Sequence, residues 1–178
     1  MKKFVIALFA VALSACSTFP EKRVEDERSI TAEFMGGDIV VTYTKDGKFE
    51  SITSAGTARM TSTLPSATEE AFIIAQLRAR KNLAEFMRTD LESDKFVRTV
   101  YNSLQDGDTT DNSTLNRVNS KIASEVQENI KQRTAAILQG TFIDSKKFDN
   151  ATRTVRVVVK TGTKDVAAAK SLKSLMGN

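Results

Sequence analysis

A single cysteine, Cys16, is the only thiol in this sequence of 178 residues, and there is neither histidine nor tryptophan. Imidazole general bases, cysteine–histidine nucleophile pairs and zinc sites of the usual ligand types are therefore excluded, and a lone thiol forms no internal disulfide. Phenols are limited to Tyr43 and Tyr101. Asp106, Asp108 and Asp111 form the one acidic cluster spaced like a metal loop. A calcium loop of the EF-hand kind wants glycine at its sixth position and a bidentate glutamate at its twelfth, where this chain has Asp111 and Arg117. The cluster is expected to be a solvated interhelical loop with helix caps, not a metal site. Glycine-rich phosphate loops, a Gly-x-Ser-x-Gly elbow and paired-carboxylate motifs are absent. A carboxylate hydrolase would need acids converging on a cleft, and these acids are scattered. No catalytic residue, cofactor or metal is expected.

The surroundings of Cys16 point to processing instead. Lys2-Lys3 precede the apolar run Phe4–Ala12, and Leu13-Ser14-Ala15 stand directly before the cysteine. A charged start, a short apolar run and a small residue at the cut make a secretory leader. The run is too short to span a hydrocarbon core of ~30 Å as a helix. At these residues the chain resembles bacterial lipoprotein precursors with their lipobox. The resemblance implies removal of the signal peptide 1–15, diacylation of Cys16 and acylation of its new amino group. Several buried acyl chains, at about 0.8 kcal/mol per CH₂, would make a permanent membrane anchor. Ser17 stands where precursors kept in the inner membrane often carry aspartate, so the resemblance implies the periplasmic face of the outer membrane.

Removing residues 1–15 leaves 163, which is one ordinary domain with room for a real core. The formal charge of +4 includes Lys2 and Lys3, so the processed chain carries about +2. That is too little to argue for nucleic acid as a partner.

The elements that must position any site follow from patterning. Residues 16–37 mix charges and end in Gly36-Gly37, which reads as a lipidated tether, with a helical stretch as the alternative. Ile39–Tyr43, the turn signal Asp46-Gly47 and the run Phe49–Met60 predict a hairpin, with Gly56 marking a bulge or a close backbone approach. Ser66-Ala67-Thr68-Glu69 has the form of a capping box, predicting a helix to about Met87 whose early acids, Glu69-Glu70, answer the helix dipole. A short helix is expected over Asp94–Leu104, and a long one over Ser113–Gln139 stopped by a left-handed Gly140. Thr141–Phe148 and Thr152–Lys160 predict a second hairpin, with Val155, Val157 and Val159 on one face. The expected fold is α+β: an antiparallel sheet from two hairpins, packed on one face by two long helices. Its domain spans 38–162, and 163–178 forms a weak helix or tail, with Lys170 and Lys173 exposed.

On the helix from Ser66, Ala71, Phe72, Ala75, Ala79, Leu83 and Phe86 share one face, which suits packing on a sheet. Ile73, Leu77 and Ala84 fall on the opposite side. A helix apolar on two sides needs two partners, and the second is either another helix of this chain or a neighbouring protomer. Arg78, Arg80, Lys81 and Arg88 form a basic run on the same helix. It is either a solvated face or a contact for lipid headgroups, cell-wall carboxylates or an acidic partner.

Ile52-Thr53-Ser54-Ala55-Gly56-Thr57-Ala58, then Ala71, Ala75, Ala79-Arg80 and Leu83-Ala84-Glu85-Phe86, resembles the LPP-twenty lipoprotein family and the FlgP-like flagellar lipoproteins. The similarity covers about a fifth of the chain besides the lipobox, and the strand Val155–Val159 agrees loosely. The resemblance implies a small, non-enzymatic α+β domain at the outer membrane, in some members assembled into rings or sheaths around an envelope machine. The expected partners are thus the membrane, through the lipid, and other proteins or copies of the chain. A periplasmic ligand- or peptidoglycan-binding module is the alternative.

Overall fold

A computed structural model describes residues 29–62, 64–105 and 113–176, with side chains described up to Ala168 and at Ser171. Cys16, the leader and the Asp106–Asp111 cluster lie outside the described residues, as do the side chains of Lys170 and Lys173. The chain runs β1 (Ile30–Phe34), β2 (Ile39–Tyr43), β3 (Phe49–Arg59), α1 (Pro65–Arg88), α2 (Asp94–Gln105), α3 (Ser113–Lys131), α4 (Thr134–Gln139), β4 (Phe142–Asp149), β5 (Thr154–Gly162) and α5 (Thr163–Met176). The architecture is α+β, with one five-stranded antiparallel sheet ordered β1-β2-β3-β5-β4.

One strand was not expected. Residues 30–34 fall in the stretch read as tether, yet they pair with β2 through Phe34↔Ile39, Ala32↔Val41 and Ile30↔Tyr43. Ala32 and Phe34 are buried. The alternation Ile30, Ala32, Phe34 is too short and too mixed with charge to stand out. The link to β2 is a tight turn in which Met35, Gly36 and Gly37 all have positive φ (52°, 69° and 88°). Gly36-Gly37 thus turns a hairpin rather than ending a tether, because glycine enters that region without a Cβ clash.

Registers then assemble one apolar face. Val41 pairs with Ile52, Ser54 with Val159, Gly56 with Val157 and Ala58 with Val155. Val155, Val157 and Val159 are fully buried as their alternation predicts, while Arg156 on the opposite face is exposed. The helices cover the apolar face in two regions. Phe34, Phe86 and Phe96 meet with ring centroids 5.0–6.1 Å apart in the larger region, beside Tyr43, Leu83, Val100, Val126, Ile130 and Ile137. Ala71, Ala75 and Ala79 lie on Ala58 and the three valines in the smaller one.

The expected long helix 113–139 is two helices. Thr134 Oγ1 donates to the Ile130 carbonyl at 3.2 Å, and Arg133 N bonds the same residue three positions back at 3.0 Å. A threonine hydroxyl that takes the carbonyl four residues earlier competes with the backbone ladder and bends it. The stripe divides accordingly: Val126, Ile130 and Ile137 are buried, Leu115 and Ile122 half-buried and Val118 exposed. Gly140 is not left-handed (φ −86°). A Cβ there would sit 3.1 Å from the carbonyl oxygens of Ala136 and Asp165, so close packing of α4 and α5 explains the glycine.

Candidate functional site

Helix α1 is the element with the most unexplained surface. Its inner face is fixed by proximity. A Cβ on Gly56 would overlap the Ala75 carbonyl and the Ala79 amide nitrogen, so β3 and α1 touch backbone to backbone there. Only glycine on the strand and alanines on the helix permit that approach. Gly56 is therefore a close contact and not a bulge, since the β3–β5 register runs unbroken through it.

Polar groups lock the same interface. Ser54 Oγ donates to the Ala79 carbonyl at 2.7 Å, buried between the two elements. β3 continues beyond the end of β2, leaving carbonyls on that side without a strand partner. Asn82 Nδ2 donates to the Ala55 carbonyl at 2.9 Å, and Arg78 Nη1 to the Thr57 carbonyl at 2.7 Å. Helix side chains thereby satisfy strand acceptors that a neighbouring strand would otherwise take. Arg78 thus differs from Arg80 and Lys81 in that one of its guanidinium nitrogens is engaged by β3. A basic run in a sequence carries no mark that one member will reach a strand carbonyl.

The start of α1 departs from expectation as well. Leu64 is the N-cap, Pro65 occupies the first helical position, and no side chain caps the end. Proline's fixed φ suits that position, so the helix begins before Ser66 and the capping box does not form. Glu69 and Glu70 lie beyond the first turn and are exposed.

The outer face is what remains. Ile73 is 59% and Leu77 61% exposed, in the middle of a 24-residue helix. Ala84 is exposed on the same stripe, as are Arg80, Lys81 and Arg88 beside it. Of the two alternative partners expected for this face, a second helix of the same chain does not cover it among the described residues. A shallow hollow lined by Lys81, Ala84, Glu85 and Arg88 continues the stripe toward the helix C-terminus.

Other surfaces are less suited to recognition. Phe142 and Phe148 are exposed on the edge strand β4, but Phe142 pairs with Lys160 and Phe148 with Val155, on opposite faces of the sheet. They form no common patch, and Lys146 and Lys147 between them discourage strand addition. A groove between α2 and α3 is lined by Asp94, Val97, Arg98, Tyr101, Ser124 and Gln127, without converging acids or bases.

Among the described residues, Tyr43 is the titrating group with a large shift. Its hydroxyl donates to the Val100 carbonyl at 3.2 Å in the aromatic core, and burial pushes its pKa up to about 12. It is part of the sealed core. Asp149 is held below the usual carboxylate range by bonds from the Thr152 hydroxyl and the amides of Thr152 and Ala151, which close the β4–β5 turn. No group of three or more metal-ligating side chains occurs among the described residues, and no helix there is long and apolar enough to cross a membrane.

Comparison with family models, curated proteins and solved structures gives no match to this chain.

Proposed function

We propose that the chain is an outer-membrane lipoprotein, anchored through Cys16 on the periplasmic side, whose domain is a non-enzymatic structural or assembly component of the cell envelope. The observation that carries this reading is the exposed pair Ile73 and Leu77, central on a helix whose other face is committed to the sheet. Two large aliphatic side chains cost little in water singly, but side by side on the outer face of one helix, with Ala84 further along the same stripe, they make an apolar patch suited to another protein. The lipobox supports the anchor, and the sparse catalytic inventory supports a mechanical role.

In this role the lipid fixes the domain near a membrane surface, which raises the effective concentration of envelope partners and of other copies. Hydrodynamic mass of the detergent-solubilised full chain, with identification of co-purifying envelope proteins, tests the proposal. A complex that dissociates on Leu77→Asp, with helical circular dichroism retained, is the expected result. A monomer at every concentration without any partner would count decisively against it.

Arg80 and Lys81, exposed beside the strip and making no ion pair among the described residues, favour one second reading: binding to anionic cell-wall polymer. Sedimentation with purified peptidoglycan separates the two, since Arg80→Glu would abolish co-sedimentation only if the polymer is the ligand.

A further inference from the structure

The outer face of α1 has an internal symmetry. Ser66, Glu70, Ile73, Leu77, Arg80 and Ala84 are spaced 4, 3, 4, 3 and 4 residues apart. That spacing is the alternation of a coiled-coil seam, and every one of the six is exposed along a single stripe of the helix. The sequence of properties along it is small, acidic, apolar, apolar, basic, small. Read backwards, it is the same pattern with the charge inverted.

We infer that this face pairs with the same face of a second copy of the chain, the two α1 helices lying antiparallel about a two-fold axis between Ile73 and Leu77. This inference rests on the assembly reading above and names the partner. In that alignment Ile73 stacks against the partner's Leu77, Glu70 lies level with the partner's Arg80, and Ser66 meets the partner's Ala84. Glu69 lies on the same flank as Arg80, and Glu70 on the same flank as Lys81, so each acid has a second base of the other copy within reach. The two-fold repeats every contact. A parallel pairing would set Glu70 against Glu70 and Arg80 against Arg80, which like-charge repulsion disfavours. Antiparallel geometry is thus selected by charge as well as permitted by the apolar centre.

Small residues at both ends let the helices stay close over the full seam. The inner-face polar locks, Ser54 to Ala79 and Asn82 to Ala55, bear on the same length of helix and hold it rigid while its outer face is free. The helix is therefore preorganised for docking, which lowers the ordering cost of association.

The test is self-association of the detergent-solubilised full chain by sedimentation equilibrium, with each variant's helical circular dichroism recorded. Glu69→Lys with Glu70→Lys should weaken dimerisation by at least about tenfold, since several exposed pairs turn from attractive to repulsive. Arg80→Glu with Lys81→Glu should do the same, and the chain carrying all four changes should dimerise again. Mixing Ile73→Cys and Leu77→Cys chains should give the mixed disulfide under mild oxidation. Restored dimerisation in the four-fold variant supports the antiparallel seam. Charge variants that leave a dimer unaffected would overturn the seam yet keep the assembly reading. A chain that is monomeric and partnerless throughout would overturn both.

Discussion

Helix α1 is two helices in composition. Its first half turns Ala71, Ala75 and Ala79 inward and Ile73 and Leu77 outward, whereas its second half buries Leu83, Phe86 and Met87 and exposes Ala84, Arg80, Lys81 and Arg88. The second half obeys the ordinary rule, with large apolar groups inside and small or charged ones outside. The first half inverts it. What differs is the distance to the sheet: over Gly56 the strand backbone leaves room for nothing larger than a methyl group, so Phe72 and Ile74 pack only at the flanks of that contact, and Ile73 and Leu77 lie outside it. Their place outside needs a different account, which the proposed docking would supply. Where a helix approaches a sheet most closely, the apolar weight it carries elsewhere becomes a sign of a second contact.

Breaking the first half from inside should have the largest effect. Gly56→Val forces a branched side chain into the Ala75 and Ala79 backbone, so the loss should exceed the usual overpacking cost of about 1–3 kcal/mol. The expected outcome is a chain without a cooperative thermal transition. Phe86→Ala, inside the second half, should cost about 3–5 kcal/mol, leaving a cavity between Phe34 and Phe96. Urea unfolding measures it, and a cost below about 1 kcal/mol would mean that the aromatic region is looser than described.

A pH test separates the two halves without cutting into either. Tyr43 belongs to the aromatic region under the second half, and its pKa of about 12 stands above the ordinary value of 10. The unfolded chain then loses this proton first, so the contribution is fully present below pH 10 and disappears as pH rises toward 12. Tyr43→Phe should flatten the alkaline loss of stability across that window. Unchanged steepness in the variant would show that the alkaline loss does not come from Tyr43.

The smallest effect on folding should come from outside the first half. Leu77→Ser should change monomer stability by no more than about 0.5 kcal/mol, as for other exposed positions. The same change should weaken association, and that contrast sharpens the difference between the faces of α1. A large loss of stability in a monomeric sample would return Leu77 to the core.

The strands of both expected hairpins, the C-terminal limit of α1 and the limits of α2 were legible because each rests on a local pattern: alternation in Val155–Val159, a glycine turn at Gly47, a 3.6-residue repeat from Ala71 to Phe86. Three features were not. β1 is too short to outweigh its charged setting, the break at Gln132–Arg133 hangs on one threonine hydroxyl, and Arg78 looks like its neighbours Arg80 and Lys81. The candidate strip of Ile73, Leu77 and Ala84 was visible as a second apolar stripe, but periodicity is silent about what covers it.

Sequence alone therefore determined the local elements, the sparse chemical inventory and the two-sidedness of α1, because propensity, residue type and helical spacing act within a few turns of chain. Tertiary structure alone decided that β5 slips between β3 and β4, that Gly56 brings backbone against backbone, that Arg78 is committed to the Thr57 carbonyl, and that the Ile73–Leu77 face stays open. Those are facts about which distant segments meet, and they are settled together by an arrangement that buries Val155, Val157 and Val159 along with Phe34, Phe86 and Phe96.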